Sequence, residues 1–144
     1  MEITIRKVQE EDYIDVLGMW NRELGYTKVN QDSVANYYNR VGNDPGYKSF
    51  VAVCDGGAVG FITAVTYFSI GCEGKVMRIT ALAVKKEYQN KGIGGRLLCQ
   101  MEEAAKADGM ENIHLSSGLK RLEAHAFYDS RGYDMRSYSF SKML

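Results

Sequence analysis

Residues 79–98 constrain the fold of this chain most. They consist of an apolar run to residue 84, a polar connector at residues 85–91, and a helical pattern that begins with three glycines. Gly92, Gly94 and Gly95 stand where the connector passes into the helix. Glycine lets a ligand approach the backbone closely, and the first N–H groups of a helix point outward with the positive end of its dipole. The segment therefore predicts a strand-to-helix turn that binds phosphate. The alternative is that the glycines only form a tight turn and bind no ligand, because the same pattern would serve that purpose.

Known nucleotide-binding motifs do not describe this glycine cluster. The chain has no GxxxxGK[ST] sequence, which disfavours a P-loop kinase or GTPase, and a GxGxxG motif would require glycine at position 97, where Leu97 stands. Lys91 and Arg96 add positive charge beside the glycines. A phosphate site of another kind is indicated.

Hydrophobic periodicity predicts one α/β domain over residues 1–144, with no linker or repeat. Strands are expected at about 2–8, 50–54, 58–68, 75–84, 112–116 and 133–144. Helices are expected from the acidic residues at 10–12 to Leu24, then at about 33–41, 92–107 and 121–130. Asp55-Gly56-Gly57 predicts a hairpin turn between the second and third strands.

Composition excludes several classes of protein. Hydrophobic residues make up 45% and charged residues 25% of the 144 residues, as in globular proteins. Eighteen basic residues balance 18 acidic ones, which argues against broad non-specific nucleic-acid binding. No apolar run approaches the ~20 residues of a membrane span, and the first residues lack the layout of a signal peptide.

The three cysteines, Cys54, Cys72 and Cys99, are far apart and form no CxxC pair. They indicate neither a disulfide framework nor a metal site, and a reducing cytoplasm is the expected location. None of them has the setting of a nucleophile, so a covalent intermediate on a cysteine is not expected.

Two sequence blocks, Gln89-x-x-Gly92-x-Gly94 and residues 124–133, are informative together. They resemble the GNAT superfamily of N-acetyltransferases. The first block is similar to the superfamily's acyl-CoA signature, [Arg/Gln]-x-x-Gly-x-[Gly/Ala]. Residues 124–133 are similar to its second block, A-x-x-F-Y-x-x-x-G-[F/Y], and the end of the chain resembles its last strand. The resemblance implies an α/β (α+β) acyltransferase fold, with a mixed central sheet of six to seven strands flanked by about four helices.

The resemblance also implies acetyl-CoA as the acetyl donor, without a metal. The carbonyl and N–H groups of Leu82, Ala83 and Val84 would pair with the pantetheine arm like an added strand. Gln89 opens the signature that holds the pyrophosphate. The backbone N–H groups implied to bind that pyrophosphate are those of Lys91, Gly92, Gly94 and Gly95, with help from Asn90.

Tyr128 matches the superfamily's tyrosine that protonates the departing thiolate. A phenol with a pKa of about 10 can protonate a thiolate whose conjugate acid lies near 8.5, although the transfer is slightly uphill. The alternative is that Tyr128 is one of several core aromatic residues. Its place in the second block favours the catalytic role.

A general base is harder to identify. Many members carry a carboxylate on the strand before the glycines, where this chain has Thr80 and Ala81. Glu73, Glu23 and His114 are substitutes, each of which could equally be a surface or structural residue. His125 is expected to be structural or near the cofactor. Arg121 stands where many members have an asparagine that contacts CoA, which puts that contact in doubt.

The resulting hypothesis is an acetyl-CoA-dependent transfer to a small-molecule primary amine, made directly in a ternary complex. Aromatic residues of the first half could line an acceptor pocket or simply belong to the core; they are Trp20, Tyr26, Tyr37, Tyr38, Tyr67 and Phe68. A peptide N-terminus or lysine acceptor, and a CoA-binding sensor without activity, remain open. The alternating Tyr138, Phe140 and Lys142 suggest a homodimer formed through the last strand.

Overall fold

A computed structural model describes residues 1–72 and 74–144, which divide into two compact units, Met1–His114 and Leu115–Leu144. Five strands in the described residues form one sheet in the order β1-β2-β3-β4-β5. They are β1 (Thr4–Lys7), β2 (Tyr47–Cys54), β3 (Gly57–Ser69), β4 (Gly74–Val84) and β5 (Asn112–Leu115). The first four strands pair antiparallel with their neighbours.

The described residues also contain four α-helices, as expected from the sequence. They are α1 (Tyr13–Arg22), α2 (Gln31–Val41), α3 (Ile93–Ala107) and α4 (Leu122–Ser130), with short 3₁₀ turns at Glu10–Asp12, Ile70–Cys72 and Lys86–Tyr88. None of the helices in the described part of the chain is both long and apolar enough to cross a bilayer.

Helices α1 and α3 cover opposite faces of the sheet. The ring of Trp20 on α1 lies 5.9 Å from the ring of Phe61 on β3. A Cβ atom built on the preceding residue, Gly60, would lie 3.0 Å from Cδ1 of Leu97 on α3. Because neighbouring residues of a strand point to opposite faces, the two helices must lie on different sides of β3. A side chain at position 60 would therefore press on the Leu97 side chain of α3 and on the Ala83 carbonyl oxygen of β4, which would lie 3.2 Å from its Cβ atom.

The predicted hairpin turn is confirmed between β2 and β3. Cys54 pairs with Gly57, which leaves Asp55 and Gly56 as a two-residue loop. Their φ angles are 51° and 80°. Two positive φ angles are what a type I′ turn requires, and the Asp-Gly pair accepts them at low cost.

Helix α2 begins two residues earlier than its hydrophobic pattern predicts. Asn30 is the cap: its side-chain oxygen accepts from the N–H of Ser33 at 3.0 Å, and its own N–H donates to the Ser33 hydroxyl at 3.1 Å. This reciprocal pair satisfies two N–H groups at the start of the helix. The polar first turn carries no hydrophobic signal, which is why periodicity placed the start too late.

The expected strand at residues 133–144 is wrong, and with it the expected total of six to seven strands. Among the described residues no strand follows β5, and residues 134–144 are exposed. The alternation of Tyr138, Phe140 and Lys142 gives this segment β propensity, but a strand also needs a neighbour for its backbone hydrogen bonds.

A chain of hydroxyl groups ties α2 to the sheet. Tyr38 on α2 donates to Ser49 at 3.3 Å, and the Ser49 and Thr63 hydroxyls lie 2.6 Å apart. Thr63 is buried and donates to the carbonyl of Lys48, while the Tyr37 hydroxyl lies 3.4 Å from that of Thr63. Burial of a hydroxyl costs free energy unless the hydroxyl is hydrogen-bonded. Each of these four hydroxyls has a partner, so the cost is avoided.

Burial of Tyr38 predicts a specific loss of stability at alkaline pH. Burial raises its pKa from 10.0 to about 12, against the opposing effect of the hydrogen bond to Ser49. Between these two values the unfolded state loses this proton and the folded state keeps it, so stability falls by about 1.4 kcal/mol per pH unit. We expect urea unfolding from pH 9.5 to 11.5 to show a shallower decline for Tyr38→Phe than for the wild type. Parallel curves for the two proteins would contradict this explanation.

Candidate active site

Strand β4 carries a bulge just before the three residues expected to meet the pantetheine arm. Ala81 pairs with Thr63 on β3, whereas Ile79 pairs with Ala64, so Thr80 is an extra residue without a partner. The Thr80 hydroxyl donates to the Thr63 carbonyl at 3.2 Å. A bulge of this kind bends a strand and increases its local twist, which changes the direction of the residues that follow.

One edge of Leu82–Val84 is not covered by strand β5. On the other edge these residues pair with β3, Leu82 with Ile62 and Val84 with Gly60. The N–H of Glu111, just before β5, donates to the carbonyl of Lys75 at the start of β4. Because β5 has only four residues, it ends beside the first half of β4. Apart from the Val84 carbonyl, which accepts from the Gln89 side chain, the backbone groups on this edge are therefore placed to pair with an extended ligand.

The glycine connector opens helix α3 as the sequence predicts. Gly92 has a φ of 82°, and Asn90 has a φ of 61°. The first main-chain bond of the helix runs from the Arg96 N–H to the Gly92 carbonyl at 3.1 Å. The N–H groups of residues 93, 94 and 95 come before it and have no acceptor within the helix. Ile93 thus joins the expected donors, a position that the glycine pattern does not mark.

The N–H groups of residues 93–95 form a phosphate cradle, which is open above Gly92. A Cβ atom built there would meet nothing within 4 Å, and Gly92 offers no side chain to cap the helix. Three outward N–H groups at the positive end of a helix suit an anion such as a pyrophosphate. The donor set therefore fits the phosphate part of CoA.

Two exposed side chains around the connector donate to backbone carbonyls. The Gln89 side-chain amide donates to the Val84 carbonyl at 2.8 Å, which ties the connector to the end of β4. Arg96 donates to the Ile3 carbonyl at 3.0 Å. Lys91 is exposed, and its ammonium lies 5.9 Å from the ring centroid of Tyr88. Lys91 is accordingly a cation beside the glycines that is available to a phosphate.

Two carboxylates of the first helical region also reach this connector. Asp15 on α1 accepts from the Lys85 ammonium at 2.7 Å, and Glu23, which follows α1, accepts from the Lys86 N–H at 3.3 Å. The second oxygen of Glu23 is buried without a hydrogen-bond partner. Sequence reasoning missed both contacts, because the partners are more than sixty residues apart.

Two of the three predicted base candidates lie within the described residues, in different settings. Glu23 holds the connector, as described above, and His114 is exposed on β5. Glu73 lies outside the described residues. Elsewhere in the described chain no group of three or more His, Cys, Asp or Glu side chains could hold a metal ion.

The six aromatic residues considered for the acceptor do not form one wall. Trp20 packs against Phe61 and Tyr26, next to the core. Tyr37 and Tyr38 belong to the hydroxyl chain of α2. Tyr67 and Phe68 are exposed near the end of β3, where the Lys75 ammonium lies 6.0 Å from the Phe68 ring centroid.

In the second unit, Tyr128 is half-buried on α4 between two aromatic rings. Its ring centroid lies 5.2 Å from that of Phe127 and 5.7 Å from that of Tyr133. Burial raises the pKa of Tyr128, and the positive charge of Arg121 acts in the opposite direction. A raised pKa keeps the hydroxyl protonated at neutral pH, so it is available as a proton donor.

His125 and Arg121 flank the start of the same helix. His125 Nε2 lies 2.7 Å from the Gly118 carbonyl oxygen and must donate to it. This bond fixes the turn that precedes α4 and supports the structural role expected for His125. Arg121 is the residue before the first turn of α4, and its positive charge lowers the pKa of the Tyr128 phenol against the larger effect of burial.

Comparison with known proteins identifies similar chains for both sequence and fold. The aminoalkylphosphonate N-acetyltransferase of Salmonella typhimurium is 30% identical over 132 residues, which span 92% of this chain and 82% of that protein. A solved structure named as a transcriptional regulator from Bacillus halodurans has a TM-score of 0.92 at 21% identity and covers 99% of this chain and 100% of its own. At that identity the likeness shows the fold alone.

An aminoglycoside N-acetyltransferase solved in complex with CoA has a TM-score of 0.85 at 15% identity, covering 99% of this chain and 95% of its own. The mixed α/β fold expected from the sequence is confirmed by these likenesses, with five strands in the described residues and four helices. The model of the acetyltransferase (GNAT) family matches residues 7–133, a range that includes both the glycine connector and the block around Tyr128. The chain therefore belongs to the GNAT family and is an N-acetyltransferase.

Proposed function

We propose that residues 1–144 act as one acetyl-CoA-dependent N-acetyltransferase domain that transfers an acetyl group directly to a small-molecule primary amine in a ternary complex. The observation that carries this proposal is the open N–H cradle at Gly92–Gly95, placed after a strand end with a free edge. Acetyl-CoA, when bound, supplies the activated acetyl group. The CoA complex of a structural neighbour supports this choice of donor.

The binding roles follow from the two ends of the connector. The backbone N–H groups of Lys91, Gly92, Gly94 and Gly95, joined by Ile93, would hold the pyrophosphate, and Asn90 shapes the turn that presents them. The edge of Leu82–Val84 that β5 does not cover would align the pantetheine arm. A backbone N–H of this edge would also polarise the thioester carbonyl. Gln89 holds these two parts together through the Val84 carbonyl.

Tyr128 is the proposed general acid. Its hydroxyl would donate a proton to the sulfur as the thiolate departs, and the Arg121 charge would offset part of the burial that makes the phenol a weaker acid. Thr80 and Ala81 provide no carboxylate on β4, so the amine is proposed to react in its neutral form. The rate should then rise with pH towards the pKa of the acceptor amine.

A small amine is the proposed acceptor because the relative that is 30% identical is named for aminoalkylphosphonates. The neighbour with CoA is named for aminoglycosides, which are also small amines. A peptide N-terminus or a lysine is the second candidate acceptor. A CoA-binding sensor without activity is the candidate from another class.

The direct test is release of the CoA thiol from acetyl-CoA with a panel of aminoalkylphosphonates, aminoglycosides, polyamines and short peptides, together with calorimetric titration of acetyl-CoA. Turnover with a small amine supports the proposal. Turnover with peptides alone would select the second candidate. Binding of acetyl-CoA without any turnover across the panel would favour the sensor, and absence of binding would contradict the phosphate cradle.

We also propose a homodimer in which residues 134–144 are buried against a second copy of the chain. Within residues 134–144 the large apolar side chains are all at least 80% exposed; they are Met135, Tyr138, Phe140, Met143 and Leu144. An exposed apolar segment with β alternation is suited to pair with another chain. A second copy of this chain would supply that neighbour.

Sedimentation at micromolar concentration tests the dimer. We expect the wild type to sediment as a dimer and the double variant Tyr138→Asp, Phe140→Asp to sediment as a monomer, because two charges would face the partner. Ser139→Asp adds a charge at the intervening position and should leave the dimer intact. A monomeric wild type, or dissociation by Ser139→Asp alone, would contradict the proposed pairing.

The cytoplasm is the proposed location. Cys54 and Cys99 are free thiols, of which Cys99 is exposed. Exposed free thiols persist in reducing compartments, and acetyl-CoA-dependent chemistry needs a compartment that contains this donor.

A further inference from the structure

We propose that Asp15 and Lys85 form a positioning pair, through which helix α1 holds the bend between the strand end and the phosphate cradle in its binding shape. The inference rests on the proposed use of acetyl-CoA. It assigns a role to two residues that are not expected to touch the reacting atoms.

Lys85 occupies the point where β4 ends and the connector begins. Its N–H donates to the Val59 carbonyl of β3 at 2.8 Å, and its ammonium donates to Asp15 at 2.7 Å. On one side of it lie Leu82–Val84, proposed for the pantetheine arm. On the other lie residues 89–95, proposed for the pyrophosphate. A change in the backbone conformation at Lys85 would therefore move the pantetheine-binding edge relative to the pyrophosphate-binding residues.

Asp15 is held at both of its oxygens. One accepts from Lys85, and the other accepts from the N–H of Ala58 at the start of β3 at 3.2 Å. The side chains are only 18% exposed for Lys85 and 28% exposed for Asp15. A charge pair that is shielded from water in this way is less screened than a surface pair, and its geometry is fixed by the third partner.

Glu23 adds a second attachment from the same region. It accepts from the N–H of Lys86, the first residue of the 3₁₀ turn that follows Lys85. Asp15 and Glu23 are eight residues apart, just over two helical turns, and both reach the same short connector. The connector is thus anchored to α1 at two successive residues before the cradle begins.

Anchoring of this kind contributes to affinity by reducing the ordering that a ligand must impose. The cradle residues Asn90 and Gly92 have positive φ angles, so their arrangement depends on the neighbouring chain being held. Loss of the pair should therefore loosen residues 85–95 and weaken binding of acetyl-CoA, while the chemistry of Tyr128 is unaffected.

The test compares Asp15→Asn and Lys85→Met with a second ion pair of similar setting. Lys48 and Asp108 lie 2.9 Å apart with side-chain exposures of 22% and 40%, and Asp108 stands at the other end of α3. Lys48→Met and Asp108→Asn remove that pair without touching the connector. The dissociation constant of acetyl-CoA is measured by calorimetry, with Tm and amide hydrogen exchange as parallel readouts.

We expect Asp15→Asn and Lys85→Met each to raise the dissociation constant about tenfold, with the double variant no weaker than the worse single one. Amide exchange should accelerate in residues 85–95 only. Lys85→Arg should restore most of the binding, because it keeps a charged donor for Asp15. The Lys48 and Asp108 variants should lose stability without a change in binding.

Two results would overturn the proposal. If Lys85→Met weakens binding while Asp15→Asn does not, Lys85 contacts a phosphate directly. If all four single variants lower Tm and none changes the dissociation constant, the pair only stabilises the fold. A wild type that fails to bind acetyl-CoA would already contradict the proposed function, and that result is seen before any variant is made.

Discussion

Replacement of Tyr128 by Phe is expected to lower kcat by about a hundredfold to ten-thousandfold, with acetyl-CoA binding unchanged. The substitution removes one hydroxyl and keeps the ring that packs between Phe127 and Tyr133. Because burial raises the pKa of Tyr128, its hydroxyl is protonated throughout the neutral range. The wild-type rate should then show no loss between pH 7 and 9 that is attributable to this group. Thiol release gives kcat, and calorimetric titration gives the dissociation constant.

Tyr138→Phe is the matched control, since it removes a hydroxyl from an exposed tyrosine of the same unit. It should leave kcat at the wild-type value. Wild-type turnover by the Tyr128→Phe variant would show that Tyr128 is a packing residue. A parallel loss of acetyl-CoA binding and Tm would show that the variant disturbs the fold instead.

Local chemistry explains which parts of the structure can be read from the sequence. The turn at Asp55-Gly56 and the helix start at Gly92 each need a positive φ angle. Glycine and aspartate adopt such angles more readily than most residues, so their presence in the sequence indicates these positions. The amphipathic pattern of α3 is equally local. These features required no knowledge of what the segments pack against.

Features that depend on distant partners left no such signal. The bulge at Thr80 arises from the way β4 pairs with β3, and nothing in the residue itself marks it. The pair of Asp15 and Lys85 joins residues seventy positions apart. Glu23 looked like a surface charge or a base, whereas its place is set by the N–H of Lys86.

Asp12 has a partner that its sequence position does not reveal. Its acidic neighbours predict a helix start, yet Asp12 is buried and accepts two hydrogen bonds from Arg6, at 2.7 and 3.0 Å.

The largest expected effect on donor binding comes from adding a charge at Gly92. Gly92→Asp should weaken acetyl-CoA binding on the order of a hundredfold, because a carboxylate within about 4 Å of a phosphate costs several kcal/mol at the dielectric of a protein surface. A Cβ at this position meets nothing within 4 Å, so the side chain itself is accommodated. Calorimetric titration of acetyl-CoA measures the change.

Gly92→Asn separates this charge from the backbone cost, because Asn and Asp have similar shapes and both tolerate the φ of 82° better than other side chains. The Asn variant should bind only a few times more weakly than the wild type. The Asp variant should bind more weakly than the Asn variant but be more stable. Its carboxylate interacts favourably with the helix dipole by about 0.3–1 kcal/mol, so its Tm should be higher. Equal loss of binding in both variants would mean that close approach at Gly92 matters and negative charge in the ligand does not. Unchanged binding in both would place the phosphates away from this helix.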